Sequence, residues 1–215
     1  NVSGIFASFG NAKVYCVGRD IEKVKKAIPR IVKSVKADAI AKNLVPADFS
    51  MLEKCVAESD LVFESSKEDI GVKKEIAGQV AKALQPNAVS CTGSSGLSIT
   101  EIANCYPDGL KEHFFGVHMF NPPYSMSLCE LTPTAFSDKA MQAELKEYLS
   151  NKLIRTVVEV KDSPAFLGNR IGFQFINEAL RYAERFKDNG GIDYIDAILG
   201  SFTGRSMAPL TTSDF

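Results

Sequence analysis

The residues best suited to chemistry in this sequence are a histidine and a glutamate that lie twelve positions apart, His118 and Glu130. Each belongs to a short apolar run, and the turn between the runs contains Asn121-Pro122-Pro123. Two strands that fold back on each other at such a turn bring carboxylate and imidazole together. A carboxylate that binds one ring nitrogen of histidine fixes the imidazole tautomer and raises the basicity of the second ring nitrogen. A histidine that acts as a general base requires both effects. A buried histidine satisfied by a neighbour fits the same spacing, so the pair alone leaves both interpretations open.

Composition indicates a globular protein whose partners are small molecules or copies of itself. The chain has 215 residues, of which 45% are apolar, and a net charge of −1. This length suits one domain or one and a half, and the near-zero charge gives no indication of nucleic acid or an anionic membrane. No apolar run approaches the ~20 residues that span a bilayer, and no basic-then-apolar leader opens the chain. The five cysteines lack metal-ligand spacing, which predicts reduced thiols in an intracellular protein and no metal site.

Strand and helix patterns alternate over about the first 160 residues, which predicts an α/β fold with a doubly wound sheet. The predicted strands cover 13–17, 60–64, 88–91, 114–118, 127–131 and 156–160. The predicted helices cover 20–42, 52–57, 69–84, 99–106 and 137–153. The first of these is expected to be continuous unless Pro29 breaks it, and an irregular connection is predicted to begin at Leu44. Along 69–84 the helical spacing places Lys73, Lys74 and Lys82 on the outer face.

A domain boundary is predicted where Lys161-Asp162-Ser163-Pro164 follows the last strand. We expect residues 1–162 to form the α/β domain and residues 163–215 to form part of a helical domain. The predicted helices there are 166–186, ended by Gly190-Gly191, and 192–199, before a sharp turn over 200–206. The abrupt first and last residues lead us to expect an incomplete sheet at one end and a truncated helical domain at the other.

Four segments stand in a recognisable order. They are Ser94-Ser95-Gly96-Leu97, His118-Met119-Phe120-Asn121-Pro122, Glu130, and Asp162-Ser163-Pro164-Ala165-Phe166-Leu167-Gly168-Asn169-Arg170. Together they resemble the 3-hydroxyacyl-CoA dehydrogenase family in its serine-rich loop, its HxFNP segment, the glutamate twelve residues later, and its D-x-P-x-F-x-x-N-R helix start. The tail from Asp193 to Asp214, with Gly204-Arg205, is also similar to long-chain members. The resemblance covers nearly the whole chain.

The resemblance implies a Rossmann-like NAD-binding domain followed by a helical domain, and it assigns four catalytic roles. His118 would take the proton from the substrate 3-hydroxyl while hydride leaves C3, and Glu130 would orient it. Ser95 would hydrogen-bond the substrate oxygen, and Asn169 would close the site from the second domain. Without the resemblance, we would interpret Ser95 as a solvated loop serine and Asn169 as a helix-cap residue.

The resemblance also implies a cofactor site that includes Glu68, Lys73 and Asn121. For Lys73 a solvated helix face is the competing interpretation. The lysine-rich helix that begins after Asp20 lies where family members approach the nucleotide part of coenzyme A. Its basic residues therefore either bind phosphates or form a solvated face.

Several residues depart from the family pattern. The first strand with its G-x-G-x-x-G turn is missing, and only Gly4 is a candidate remnant of it. Arg19 follows the next strand where the family has an aspartate, so that NADP is not excluded beside NAD. Three further positions of the family pattern are also changed. The family's usual asparagine, serine and lysine are replaced here by Gly93, Gly96 and Ser127, respectively.

The resemblance therefore implies an NAD-dependent oxidoreductase of fatty-acid β-oxidation, which oxidises L-3-hydroxyacyl-CoA to 3-ketoacyl-CoA. We expect a homodimer in the cytoplasm or the mitochondrial matrix, with an acyl-CoA substrate and no nucleic-acid or membrane partner. Two alternatives stay open. One is a dehydrogenase of a small hydroxy acid or sugar acid, and the other is a non-catalytic binding or structural relative that lacks the nucleotide loop.

Overall fold

The computed structural model describes residues 2–200, 203 and 207–213. The chain forms two compact units that divide between Phe166 and Leu167. The strands are β1 (Val14–Gly18), β2 (Leu44–Asp48), β3 (Leu61–Glu64), β4 (Val89–Thr92), β5 (Phe114–Met119), β6 (Leu128–Thr132) and β7 (Thr156–Glu159). The helices are α1 (Val2–Ser8), α2 (Ile21–Val35), α3 (Leu52–Ala57), α4 (Ile70–Ala81), α5 (Ile99–Ala103), α6 (Lys139–Glu147), α7 (Gly168–Arg185), α8 (Gly191–Leu199) and α9 (Pro209–Ser213).

The described strands form two sheets. β1 and β2 pair in parallel, and β3 to β7 pair in chain order as a five-stranded sheet. All neighbours in the larger sheet are parallel except β5 and β6, which run antiparallel and put His118 opposite Glu130. A mainly parallel sheet with intervening helices is the architecture that the alternating sequence pattern predicts, and the Rossmann-like α/β class is confirmed.

Helices cover both faces of the larger sheet. On one face α3, α4 and α5 pack through Val56, Val80 and Ile102 against Phe114. On the other face α1 and α6 contribute Ile5, Phe6 and Leu145 to a core with Phe115 and Leu131. Since parallel strands buried on both faces read as continuous apolar runs, this packing explains why strands such as β3 and β5 consist mainly of apolar residues.

Two predictions in the region before β3 are wrong. The first long helix ends at Val35 rather than near residue 42, because Lys36 adopts the left-handed conformation with φ of 53°. Pro29 lies inside α2 without ending it. The segment that starts at Leu44 is a strand, not an irregular connection, although it contains Pro46. Proline is tolerated in an outer strand, and β2 pairs only with β1 among the described strands.

Lys73 also differs from its predicted position on the outer face of α4. Its side chain is only 1% exposed. The apolar spacing correctly indicates the helix, which Asp69 caps by accepting a hydrogen bond from the Val72 amide at 3.0 Å. Charge type alone does not reveal that partners from other elements surround this lysine.

The second unit is helical. Ala179 and Ala183 of α7 pack with Ile195 of α8 and Leu210 of α9. Gly190, just before α8, and Gly191, its first residue, have positive φ angles of 97° and 50°, which explains the glycine pair that follows α7. The predicted turn at 200–206 and the tail positions 204, 205 and 214 lie outside the described residues, apart from Gly200 and Thr203.

Within the described part of the chain, none of the helices has the length and apolar character needed to cross a membrane. The five cysteines form no disulfide.

Candidate active site

The register of the antiparallel strand pair creates the central contact of the site. His118 of β5 lies directly opposite Glu130 of β6, and its Nδ1 is 2.8 Å from the Glu130 Oε2. Both residues are buried, with exposures of 6% and 1%. Since an ionised carboxylate can only accept, Nδ1 carries the proton that joins them, and Nε2 is the nitrogen with basic character. The expected pair is therefore present in the folded chain.

Two phenylalanines border the imidazole. The ring centroid of Phe120 lies 4.5 Å from that of His118, and the ring of Phe166 lies 6.0 Å away. Phe166 follows Ala165 in a short stretch of left-handed backbone, with φ angles of 48° and 60°. Non-glycine residues adopt this conformation only when surrounding contacts hold them there. These aromatic side chains limit the orientation of the imidazole and cover it with apolar surface.

Arg155 holds the connection between β5 and β6. Its guanidinium donates to the carbonyl oxygens of Pro123 at 2.6 Å and Met126 at 3.1 Å, and to that of Leu153 at 2.7 Å. Burial lowers the pKa of this arginine from its ordinary value. Sequence inspection missed Arg155, because its partners are backbone carbonyls that leave no pattern in the side chains.

The loop after β4 is organised around one carboxylate. Glu68 Oε1 accepts hydrogen bonds from the Ser94 hydroxyl at 2.5 Å, from the Ser95 amide at 2.8 Å and from the Gly96 amide at 3.2 Å. Burial tends to raise the pKa of Glu68, but the bonds from Ser94 and Ser95 and the charge of Lys73 outweigh it and hold the pKa below its usual value. Ser95 is exposed at the tip of this loop.

A second buried ion pair lies beneath Glu68. The Lys73 ammonium is 2.9 Å from Glu64 Oε2 and 3.5 Å from Glu68 Oε2. Glu64 also accepts from the Thr92 hydroxyl at 2.6 Å and from the Ser66 amide. Burial tends to raise the pKa of Glu64, but the hydrogen bonds from Ser66, Thr92 and Lys73 lower it overall. The carboxylate is therefore charged and saturated with donors.

The glycines that replace larger residues in the loop have close neighbours. A Cβ atom on Gly93 would lie 3.0 Å from the Phe63 ring, and one on Gly96 would lie 3.1 Å from the backbone of Ala165. Ala165 donates its amide to the Gly96 carbonyl at 3.4 Å. Phe63 and the segment before Phe166 thus occupy the space that side chains at these two positions would need.

The last sequence-predicted residues are spread over several elements. Arg19 is exposed just beyond β1, and Asn121 is exposed just beyond β5. Asn169 lies at the second position of α7, in the other compact unit. Gly4 is buried inside α1, where an added Cβ would lie 2.8 Å from Ile31, so its small size serves helix packing rather than a phosphate-binding turn.

Residues 3–163 match the family described as "3-hydroxyacyl-CoA dehydrogenase, NAD binding domain". This match covers the first compact unit almost completely. The chain belongs to this family. Its fold and its NAD-binding domain are therefore those that the sequence motifs indicate.

Individual proteins are similar to this chain in sequence or in fold. A 3-hydroxybutyryl-CoA dehydrogenase from Bradyrhizobium diazoefficiens is 32% identical over 194 residues, which are 90% of this chain and 59% of that protein. The human mitochondrial hydroxyacyl-coenzyme A dehydrogenase is 28% identical and is matched over 91% of this chain and 64% of its own length. The crystal structure of FadB2 from M. tuberculosis superposes with a TM-score of 0.85 at 24% identity, over 99% of this chain and 76% of that one. The chain thus spans less than two thirds of the two sequence relatives.

The strand ends offer polar groups that suit NAD. A cavity of about 1580 Å³ reaches Gly18 at the end of β1 and Arg19 just beyond it, as well as Glu64, Ser65 and Ser66 at the end of β3. In open α/β sheets, ligands bind at the carboxyl ends of the strands. Charged and hydroxyl side chains there fit the ribose hydroxyls of a dinucleotide. Neither His118 nor Glu130 lines this cavity.

Proposed function

We propose that this protein oxidises an L-3-hydroxyacyl-CoA thioester to the 3-keto form and passes the hydride to NAD. The observation that carries the proposal is the buried contact of 2.8 Å between His118 Nδ1 and Glu130 Oε2. Relatives named as 3-hydroxybutyryl-CoA and hydroxyacyl-coenzyme A dehydrogenases support the substrate class.

In the proposed reaction His118 Nε2 removes the proton of the substrate 3-hydroxyl. The Glu130 carboxylate holds the ring through Nδ1 and stabilises the imidazolium that forms. NAD, when bound, supplies the acceptor for the hydride that leaves C3. Because hydride departs more easily as negative charge develops on the oxygen, a base aimed at that oxygen lowers the barrier. The apolar cover from Phe120 and Phe166 keeps water from competing for the imidazole.

Ser95 and Asn169 complete the proposed catalytic group. Ser95 follows β4, and His118 is the penultimate residue of β5. Because these neighbouring strands are parallel, both residues lie toward the same edge of the sheet. Ser95 would donate to the substrate oxygen. Asn169, at the start of α7, would contribute from the helical unit.

On the cofactor side we assign Arg19, Glu68, Lys73 and Asn121. Arg19 and Asn121 are exposed at strand ends and would contact the cofactor directly. Lys73 would act through Glu68, since its own ammonium is buried against two carboxylates. Arg19 keeps NADP as an alternative cofactor, because a guanidinium binds a 2′-phosphate well.

The remaining parts of the proposal concern partners and location. The lysines of α2 would meet the phosphates of coenzyme A. The helical unit exposes Ile171, Phe173, Tyr182 and Ile192 by 48–63%, and such apolar surface supports a homodimer. We place the reaction in fatty-acid β-oxidation, in the cytoplasm or the mitochondrial matrix.

The direct test is turnover of L-3-hydroxybutyryl-CoA with NAD, followed as NADH absorbance, for the wild type and His118→Gln. Loss of the general base should lower kcat by about 10²- to 10⁴-fold. Calorimetric titration with NADH should give the same affinity for both proteins, since His118 does not line the cofactor cavity. Equal turnover by the two proteins would contradict the assignment of the base.

The non-catalytic alternative is favoured by one observation, the packing of Gly4 inside α1. A dinucleotide domain normally places the pyrophosphate at a glycine turn before a helix, and Gly4 does not provide one. A folded chain that shows no heat of binding with NADH would select this alternative. Turnover of free hydroxy acids without turnover of acyl-CoA would instead select a small-acid dehydrogenase.

A further inference from the structure

Two carboxylates hold the loop after β4, one at each end. At its start Glu68 accepts a hydrogen bond from the Ser95 amide at 2.8 Å. At its end, where α5 begins, Asp162 Oδ1 accepts from the Ile99 amide at 3.0 Å, and Asp162 Oδ2 accepts from the Thr100 amide at 2.8 Å. Ser95 therefore lies between two anchors that come from different parts of the chain.

Asp162 differs from an ordinary helix cap, because it is not a neighbour of α5 in the sequence. Ser98 is the local cap, and its hydroxyl oxygen accepts from the Glu101 amide at 3.2 Å. The same hydroxyl donates to Asp162 Oδ2 at 3.2 Å. Asp162 itself follows β7 and stands 62 positions beyond Thr100. Since hydrogen bonds to a carboxylate are stronger than those between neutral groups, this one side chain ties the end of β7 to the start of α5.

The residues after Asp162 contact the same loop again. The Ala165 amide donates to the Gly96 carbonyl at 3.4 Å, and a Cβ atom on Gly96 would lie 3.1 Å from the Ala165 backbone. The next residue, Phe166, borders the His118 ring at a centroid distance of 6.0 Å. The segment from 162 to 166 therefore touches both the loop and the imidazole.

The start of α5 is fixed on the face of the sheet toward which His118 points. Ile99 packs over Gly116 of β5, where an added Cβ atom would lie 2.8 Å from the Ile99 Cγ2 neighbour Cγ1. Gly116 and His118 are two positions apart in β5, so they face the same side of the sheet. Ile99 is wholly buried, whereas Ser95 is exposed. The contacts of Asp162 thus join the mobile side of the loop to a buried anchor beside the catalytic strand.

We propose that Asp162 is a positioning residue of the active site, whose carboxylate holds the loop so that the Ser95 hydroxyl reaches the substrate oxygen while His118 takes the proton. This inference rests on the proposed function, since it uses the roles given there to Ser95 and His118. A displacement of about 1 Å in an active site can lower turnover by about 10²-fold, so a modest loosening at the α5 end has a measurable effect. Glu68 still holds the other end, and the approach of the cofactor is therefore unchanged.

The test compares the steady-state kinetics of the whole chain and of Asp162→Ala with L-3-hydroxybutyryl-CoA and NAD. Loss of the carboxylate should lower kcat about tenfold and leave the KM for NAD within about twofold. Asp162→Asn keeps the shape of the side chain and one acceptor oxygen, so a fall of about threefold is expected even if the alanine variant folds poorly. Asp138→Ala is the matched control, because Asp138 caps α6 by accepting from the Met141 amide at 2.8 Å and should leave kcat unchanged.

A double-mutant cycle shows whether Asp162 acts through Ser95. Ser95→Ala alone should lower kcat by about 10²-fold, because a donor to the reacting oxygen is lost. In the Ser95→Ala background, Asp162→Ala should change kcat by about twofold or less, since the group that it positions is absent. The same tenfold fall in both backgrounds, or an equal fall in Asp138→Ala, would overturn the proposal.

Hydrogen exchange and the wild-type activity separate this proposal from the proposed function. Asp162→Ala should speed exchange of the Ser95 and Ile99 amides about tenfold, because the α5 end of the loop opens more often. Unchanged exchange at Ser95, or an active wild type whose kcat survives Asp162→Ala, would overturn this proposal alone. A wild type that does not oxidise the thioester would contradict the proposed function and, with it, the role of Asp162 in turnover.

Discussion

Two buried carboxylates in this protein hold nitrogen groups in different ways. Glu130 faces His118 across a two-strand register, and its Oε2 lies 2.8 Å from the imidazole Nδ1. Glu64 accepts from Lys73, Thr92 and Ser66, which come from a helix, a strand and a loop. In the proposed reaction the first pair orients a general base, whereas the second is a buried ion pair that joins three elements. We therefore infer that breaking the first pair affects turnover and that breaking the second affects stability.

The largest expected effect is on turnover in Glu130→Gln. An amide at this position no longer stabilises the imidazolium or fixes its tautomer, so kcat should fall by about 10³-fold, or ~4 kcal/mol in the barrier. Steady-state kinetics with L-3-hydroxybutyryl-CoA would measure this loss. Glu159→Gln is the matched control, since Glu159 lies on β7 at an exposed ion pair with Lys146 and should leave kcat unchanged.

The next effect is on stability in Lys73→Met. Removal of this cation leaves Glu64 buried without its partner, which should lower the free energy of unfolding by about 3–5 kcal/mol. Lys74→Met is the control, because the Lys74–Glu101 pair is exposed and should contribute at most about 1 kcal/mol. Urea unfolding followed by circular dichroism gives both values. The double variant Lys73→Met with Glu64→Gln should recover part of the lost stability. If Lys73→Met and Lys74→Met were equally stable, the buried Lys73–Glu64 pair would contribute no more than the exposed Lys74–Glu101 pair.

A smaller effect is expected in the acid dependence of stability. The pKa of Glu64 is lowered from its ordinary value of 4.5. The unfolded chain therefore binds this proton first as pH falls, so the stabilisation is fully present above pH 4.5 and is lost as pH falls through the lowered pKa. Urea unfolding between pH 7 and 3 should show a steeper loss for the wild type than for Glu64→Gln. Parallel curves would indicate that Glu64 is not charged in the folded chain.

The smallest effect is expected in Glu68→Gln, because this side chain is 41% exposed. A neutral amide accepts more weakly from Ser94, Ser95 and Gly96, so the loop should loosen. We expect a rise of about threefold to tenfold in the KM for NAD, with kcat within about twofold. Faster exchange of the Ser95 and Gly96 amides would confirm the structural cause. A large fall in kcat at unchanged KM would instead make Glu68 part of the catalytic group.

The elements that the sequence predicts well depend on local signals. The short helix α3 has the bounds that Leu52, Cys55 and Val56 indicate by their helical spacing. The His118–Glu130 contact follows from two strands separated by one turn, so a sequence interval of twelve residues is enough to predict it.

The features that the sequence does not predict depend on partners that are distant along the chain. The burial of Lys73 requires Glu64 from β3 and Glu68 from the following loop, and helical spacing contains no information about either. The strand at Leu44–Asp48 exists because β1 lies beside it, which outweighs the low strand preference of Pro46. The end of α2 depends on a lysine in a conformation that glycine usually adopts.

The position of Phe166 has a practical consequence for anyone who expresses the α/β unit by itself. A fragment that stops at Asp162, where the strand pattern ends, would lack both the ring that borders His118 and the Ala165 amide that contacts the Gly96 carbonyl. Such a fragment would keep its sheet and expose the His118 imidazole to water. A fragment that extends through Phe166 would retain the His118 imidazole in its apolar surroundings. Titration of His118 by NMR in the two fragments would then measure how residues 163–166 influence proton binding by this imidazole.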